Sequence, residues 1–102
     1  MNISIETPHL SGQERFIESM KETMNKRYSN RNYIHSIKAK VSADDSEGYT
    51  VGFLFELIKG NQIYAYSQHP SLNKALSEAI QKADAQILKF KTKSIVYKKA
   101  KS

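Results

Sequence analysis

Hydrophobic and polar residues alternate in four short segments, at residues 2–7, 33–42, 51–58 and 62–68. A period of two is typical of a β-strand with one buried face. In the last two segments the residues expected to point inward are Val51, Phe53, Phe55, Leu57, Ile63, Ala65 and Ser67. The pattern therefore predicts four strands.

Two other segments place hydrophobic residues every three or four positions, the period of an amphipathic helix. Ser11 and Glu14 form a capping box, which predicts a first helix from near Gly12 to near Ser29 with the stripe Phe16, Ile17, Met20, Met24 and Tyr28. Ser71 is the expected N-cap of a longer helix with the stripe Leu72, Leu76, Ala79, Ile80, Ala83, Ile87 and Phe90. The chain thus contains two predicted helices.

The predicted elements follow the order β-α-β-β-β-α, which indicates an α+β fold. A β-α-β connection is right-handed and each helix needs an apolar surface, so both helices should pack on one face of a four-stranded sheet. The first strand should then pair parallel to the second. Turn residues at 43–48 and 60–61 predict antiparallel pairing for the others. We expect one domain over residues 1–93 and a basic, flexible tail over residues 94–102.

Some residues on the strands invite more than one interpretation. In the alternation of the second strand, His35 points into the core, where a histidine is usually structural. Tyr64 and Tyr66 point away from the helices and would either pair across strands or stack on bases. With Leu54 and Ile58 they would also form an apolar patch for a protein partner or weak self-association.

The net charge of +6 arises entirely near the C-terminus, because residues 1–88 contain equal numbers of basic and acidic side chains. The last fourteen residues contain only lysines among charged residues: Lys89, Lys91, Lys93, Lys98, Lys99 and Lys101. A local positive field attracts polyanions, above all nucleic acid. A basic tail that only keeps the protein soluble is the alternative.

The last helix should carry a basic flank, because Lys82, Gln86, Lys89 and Lys93 recur at helical spacing beside the apolar stripe. Such a row suits a ribose-phosphate backbone. It is also compatible with an ordinary solvated flank or with cations that stabilise a helix C-terminus. Lys26 and Arg27 on the first helix are weaker candidates, since Glu18 and Glu22 are spaced for intrahelical ion pairs with neighbouring lysines. Side-by-side helices would join both flanks in one groove.

Other chemistry finds little support in the sequence. The chain has no Cys, and its three His residues lack metal-ligand spacing. It contains no phosphate-binding loop, dinucleotide motif or nucleophile elbow. It also lacks a signal-peptide pattern and a long apolar run. We therefore expect a cytoplasmic protein that is not an enzyme and uses no cofactor, metal, small-molecule substrate or membrane.

The stretch from residue 60 to residue 93, GNQIYAYSQHPSLNKALSEAIQKADAQILKFKTK, resembles the ribosome hibernation factors, the family of hibernation-promoting factor and the ribosome-associated inhibitor. The residues that match the family pattern are Ala75, Lys82, Gln86, Lys89, Lys91 and Lys93. The resemblance spans nearly the whole chain, and we expect the short, sigma-54 modulation protein-like form, without the C-terminal dimerisation domain of long forms. It implies a sheet with two helices, similar to a double-stranded-RNA-binding domain.

The resemblance also implies a function. Such a protein binds ribosomal RNA in the decoding channel of the small subunit and sterically blocks messenger and transfer RNA sites. Its RNA-facing residues would be Lys82, Gln86, Lys89, Lys91 and Lys93. From the charges of the first helix we add Lys26 and Arg27 as secondary contacts, and we expect a monomer. Met20 and Thr23 stand where the family often has lysines. A general structured-RNA-binding module and a protein-interaction module are the alternatives.

Overall fold

The structure is a computed structural model, which describes residues 2–7, 12–44 and 48–101, and their side chains up to Lys91 except that of Asp44. The elements are β1 (Asn2–Glu6), α1 (Glu14–Tyr28), β2 (Ile34–Asp44), β3 (Gly48–Leu57), β4 (Gln62–His69) and α2 (Leu72–Lys101), with a 3₁₀ turn at Ile58–Gly60. The order β-α-β-β-β-α is therefore confirmed.

The four strands form one sheet in the order β1-β2-β3-β4. β1 is parallel to β2, and the other neighbours are antiparallel. The sequence alternation appears as alternating burial, since in β4 the residues Ile63, Ala65 and Ser67 are buried while Tyr64 and Tyr66 are exposed. β1 and β4 are the sheet edges, and β4 carries the tyrosines.

Both helices contribute to the core on the buried face of the sheet, as predicted. α1 supplies Met20, Met24 and Tyr28, and α2 supplies Ala75, Ala79, Ala83 and Ile87. Three of the four residues from α2 are fully buried alanines. Small side chains let the helix axis approach the strands closely, and α2 packs against β3 and β4. This packing brings one side of α2 to the β4 edge.

The predicted core position of His35 is wrong. The register between β2 and β3 shifts between Ile34 and Ser36. Ile34 is 4% exposed and belongs to the core, whereas His35 is exposed. An irregularity of this kind inserts a residue and reverses the facing of the side chains before it. The alternation from Ile37 onward is unaffected.

The start of α1 differs from the prediction, whereas the start of α2 agrees with it. The N-cap of α1 is Gln13, which makes no side-chain capping bond, so α1 begins two residues later than the capping box indicates. Ser11 lies outside the described residues. The Ser71 hydroxyl accepts a bond from the Lys74 amide at 3.5 Å, in agreement with its predicted capping role. The helix α2 continues through the predicted tail to Lys101, beyond the end that the sequence indicates, and the expected flexibility of residues 94–102 stays a prediction.

Candidate nucleic-acid interface

Two of the predicted RNA-facing residues contact the edge of the sheet. Lys82 Nζ donates a hydrogen bond to the Tyr66 carbonyl at 3.1 Å, and Gln86 Nε2 donates one to the Tyr64 carbonyl at 2.7 Å. An edge strand presents backbone groups that no further strand pairs, and these side chains cap two of them. An ammonium group has three donors, so Lys82 keeps two for another acceptor.

Lys89 extends the same side of α2 toward the C-terminus. It follows Lys82 by about two helical turns and is exposed. It makes no hydrogen bond or ion pair with any of the described side chains. We call Lys82, Gln86 and Lys89 the α2 flank. Lys93, the fourth predicted member, has its side chain outside the described residues.

Lys91 occupies a different side of α2. It lies two turns beyond Asp84, and Asp84 is about 200° around the helix from both Lys82 and Gln86. Lys91 is half-buried, whereas Lys89 is exposed. The predicted lysines therefore do not form a single row.

Asp84 links the two helices. Its carboxylate forms an ion pair with Arg27 and accepts a hydrogen bond from the Tyr28 hydroxyl at 2.8 Å. Tyr28 is only 1% exposed. Burial, and then the hydrogen bond to Asp84, raise the pKa of Tyr28 well above its ordinary range. Its hydroxyl therefore remains a protonated donor to Asp84.

The Asp84 contacts also separate the basic residues of the two helices. Arg27 faces Asp84, whereas Lys82 and Gln86 face β4 on the other side of α2. The expectation that the basic flanks of the two helices line a common groove is therefore wrong. Lys26, the other secondary candidate, pairs with Glu22 at 3.3 Å across an exposed helical turn. Both candidate RNA contacts of α1, Lys26 and Arg27, thus already have a carboxylate partner.

Other kinds of site are sparse in the described part of the chain. No cluster of three or more His, Asp or Glu side chains there is arranged to hold a metal ion. No described helix combines the length and hydropathy needed to span a membrane. An open groove of about 410 Å³ between α1 and β1 is lined by Ile3, Glu18, Lys21, Glu22 and Asn25. Its two glutamates do not favour a polyanion.

Residues 3–95 match the family described as sigma 54 modulation protein / S30EA ribosomal protein. The chain belongs to this family. The family description names a modulator and a ribosomal protein, not an enzyme. Among curated proteins, no sequence matches this S30EA chain.

Two solved structures share the fold of this S30EA chain. A ribosomal subunit interface protein from Coxiella burnetii superposes with a TM-score of 0.78 at 17% identity, covering 90% of this chain and 99% of that one. The N-terminal domain of Protein Y from Thermus thermophilus gives a TM-score of 0.72 at 17% identity, covering 88% and 99%. These likenesses confirm the α+β architecture, and the family match confirms the resemblance found in the sequence.

The contacts that hold the polar residues of α2 in place were not predicted from the sequence. Asp84 is the last acidic residue of the chain and lies between Lys82 and Lys89 in the sequence, and this isolated negative charge is the one sequence sign of a specific partner. The capping of β4 by Lys82 and Gln86 has no sequence sign of its own, because it depends on how closely α2 approaches the sheet.

Proposed function

We propose that this protein is a ribosome hibernation factor that binds ribosomal RNA of the small subunit and blocks the messenger and transfer RNA sites of the decoding channel. Membership of the S30EA family makes it a ribosome-associated protein. The Coxiella burnetii protein of the same fold is described as a ribosomal subunit interface protein. Inhibition would be steric and would need no reaction.

The observation that carries this proposal is the α2 flank. Its two lysines are exposed, and their ammonium groups meet no carboxylate within ion-pair distance among the described residues. Each phosphate that such a lysine neutralises releases condensed counterions, so binding strengthens as salt falls. Lys91 and Lys93 complete the proposed main contacts, toward the acid-free end of the helix.

Lys26 and Arg27 are secondary contacts in this proposal. RNA would have to compete with Glu22 for Lys26 and with Asp84 for Arg27. Exposed ion pairs are worth about 0–1 kcal/mol, so neither pair excludes a phosphate. The Arg27 pair is the harder to replace, because Tyr28 fixes the same carboxylate.

The test is co-sedimentation of the protein with small subunits and with whole ribosomes over a series of salt concentrations. We expect saturable one-to-one binding that weakens with salt and is displaced by messenger RNA together with initiator transfer RNA. Binding without displacement would indicate a general RNA-binding module. No binding at low salt would refute the ribosomal function.

A charge-reversed pair of variants locates the surface. Lys89→Glu should weaken binding at least tenfold at moderate salt. It should also make the slope of log affinity against log salt less steep by about 0.7–0.9 or more, the value for one lost phosphate contact. Lys74→Glu makes the same change in net charge near the start of α2, about 22 Å along the axis, and should leave binding nearly unchanged. Equal effects of both would show that only net charge matters.

A further inference from the structure

The two tyrosines of β4 form an exposed aromatic pair on the face of the sheet away from the helices. Tyr64 is 60% exposed and Tyr66 is 55% exposed, and their ring centroids lie 5.9 Å apart. Elsewhere in the described part, Leu88 is the other exposed large hydrophobic residue, and it lies on α2. We call Tyr64 and Tyr66 the tyrosine face.

Cross-strand packing does not account for Tyr66. Its partner on β3 is Gly52, which has no side chain to cover the ring. A Cβ atom built on Gly52 would lie 3.5 Å from the Tyr64 hydroxyl and 3.6 Å from Tyr66 Cβ. The Tyr64 side chain therefore reaches over the glycine.

The charges around the tyrosine face suit a base better than a phosphate. Lys38 on this face pairs with Glu56 at 3.2 Å. Lys40 lies between Glu6 of β1 and Gly52 of β3 in the register. The face itself is thus close to neutral. A neutral pair of rings offers stacking, which depends on the π surface of the partner and little on salt.

The tyrosine face is continuous with the α2 flank. Lys82 Nζ bonds to the Tyr66 carbonyl and lies 5.8 Å from the centroid of the Tyr66 ring. A phosphate held by the two remaining donors of Lys82 would therefore sit at the border of the aromatic pair. Unpaired RNA offers this combination, because its splayed bases stack on aromatic side chains while its backbone contacts cations.

The area of the pair argues against a stable protein partner. An aromatic side chain buries about 150–250 Å² when fully covered, so two rings that are already partly covered supply less than about 300–500 Å². Leu54, which lies opposite Tyr64 in the register, is half-buried and adds little exposed area. A stable protein interface takes about 800 Å² from each partner. The rings are large enough for one or two bases.

We propose that Tyr64 and Tyr66 stack on bases of an unpaired RNA segment whose phosphate is held by Lys82. This deepens the proposed function and rests on it, since the α2 flank is the same RNA-binding surface. It adds a contact that selects unpaired bases. The lysines alone would bind the phosphates of paired and unpaired RNA alike.

The test compares three proteins: the wild type, the double variant Tyr64→Phe/Tyr66→Phe, which keeps both rings, and Tyr64→Leu/Tyr66→Leu, which keeps apolar bulk without a π face. Each is titrated with a 12-nucleotide single-stranded RNA and with an abasic oligonucleotide of the same length and charge. Each is also titrated with small ribosomal subunits. Leu88→Ala is the control for loss of an exposed apolar side chain, and circular dichroism checks the fold.

We expect the wild type and the Phe variant to prefer the base-bearing RNA over the abasic one by at least tenfold. The Leu variant should lose this preference, bind small subunits at least tenfold more weakly and keep the wild-type salt slope. Equal binding of both oligonucleotides by the wild type, or a preference that survives in the Leu variant, would overturn the proposal.

The remaining outcomes separate this inference from the proposed function. Loss of subunit binding in the Leu variant, with no base preference in the wild type, would assign the tyrosines to a protein contact and refute the stacking role. Normal subunit binding by the Leu variant would refute stacking while leaving the ribosomal function intact. Absence of subunit binding by the wild type would refute the ribosomal function, and the oligonucleotide preference would still decide the stacking role.

Discussion

Asp84 makes two contacts with α1, and a double-mutant cycle separates them. The first is the hydrogen bond from the buried Tyr28 hydroxyl, and the second is the ion pair with Arg27. Tyr28→Phe removes only the first contact, whereas Asp84→Ala removes both. The cycle consists of these two variants, the wild type and the double variant, with the free energy of unfolding measured by urea denaturation.

The structure sets the expected magnitudes. A hydrogen bond to a charged acceptor is worth about 1.5–3 kcal/mol net, which is the expected cost of Tyr28→Phe. The side chains of Arg27 and Asp84 are 46% and 35% exposed, so solvent screens their ion pair and limits it to about 1 kcal/mol or less. Asp84→Ala also leaves the Tyr28 hydroxyl buried without its acceptor, so it should cost about 2–4 kcal/mol.

The double variant decides between these contributions. Both single variants lose the same hydrogen bond. The sum of their two costs in unfolding free energy should therefore exceed the cost of the double variant by about 1.5–3 kcal/mol. Costs that add within about 0.5 kcal/mol would show that the Tyr28–Asp84 bond contributes little and would refute the reasoning.

The same hydroxyl predicts a dependence on alkaline pH. The pKa of Tyr28 is raised in the folded protein, mainly by burial, so above about pH 10 the unfolded chain releases a proton that the folded chain retains. Its contribution to stability is complete below pH 10 and is lost as pH rises, at about 1.4 kcal/mol per pH unit. Tyr28→Phe should remove that slope. Parallel stability curves for the two proteins would contradict it.

Two further substitutions test how the fold positions the interface. Ala79→Leu should lower the free energy of unfolding by about 1–3 kcal/mol, because Ala79 is fully buried between α2 and the sheet; a urea titration measures this, and an unchanged midpoint would show that α2 has room to move. Gly48→Ala should lower the melting temperature, because Gly48 has a φ of +92° and a Cβ there would lie 2.6 Å from the His69 carbonyl oxygen. Gly52→Ala is the tolerated control, because the nearest atom to its Cβ would be the Tyr64 hydroxyl oxygen at 3.5 Å. Calorimetry showing equal melting temperatures for both would contradict this.

The elements and their facing were predictable because the signals are local. Alternation along β3 and β4 follows directly from strand geometry, and each inward residue of the sequence pattern is buried. The exposure of His35 was not predictable, because the register shift after Ile34 is a property of the pairing between β2 and β3. One inserted residue reverses facing without any sign in the alternation of β2 itself.

The candidate site was predictable in its residue types but not in their partners. Helical spacing places Lys82, Gln86 and Lys89 on one flank, and the structure agrees. That Lys82 and Gln86 reach backbone carbonyls depends on the buried alanines that bring α2 close to β4. That Arg27 meets Asp84 depends on where the two helices cross. Both contacts depend on tertiary packing, which the periodicity of a single helix or strand does not predict.

The partners of the acidic residues of α2 explain which lysines remain available for the proposed contact with RNA. Glu78 is spaced to pair with Lys82, yet it accepts a bond from Ser67 at 2.6 Å, and Asp84 is occupied by Arg27 and Tyr28. Glu78 still lies one turn from Lys82 and reduces its field, whereas Lys89 is about 16 Å farther along the axis than Glu78, beyond a Debye length of about 8–10 Å at physiological salt. The attraction for RNA should therefore be strongest at Lys89, intermediate at Lys82 and weakest at Arg27. Single charge-neutralising variants should weaken ribosome binding in that order, and a larger loss at Arg27 than at Lys89 would place the RNA on the other side of α2.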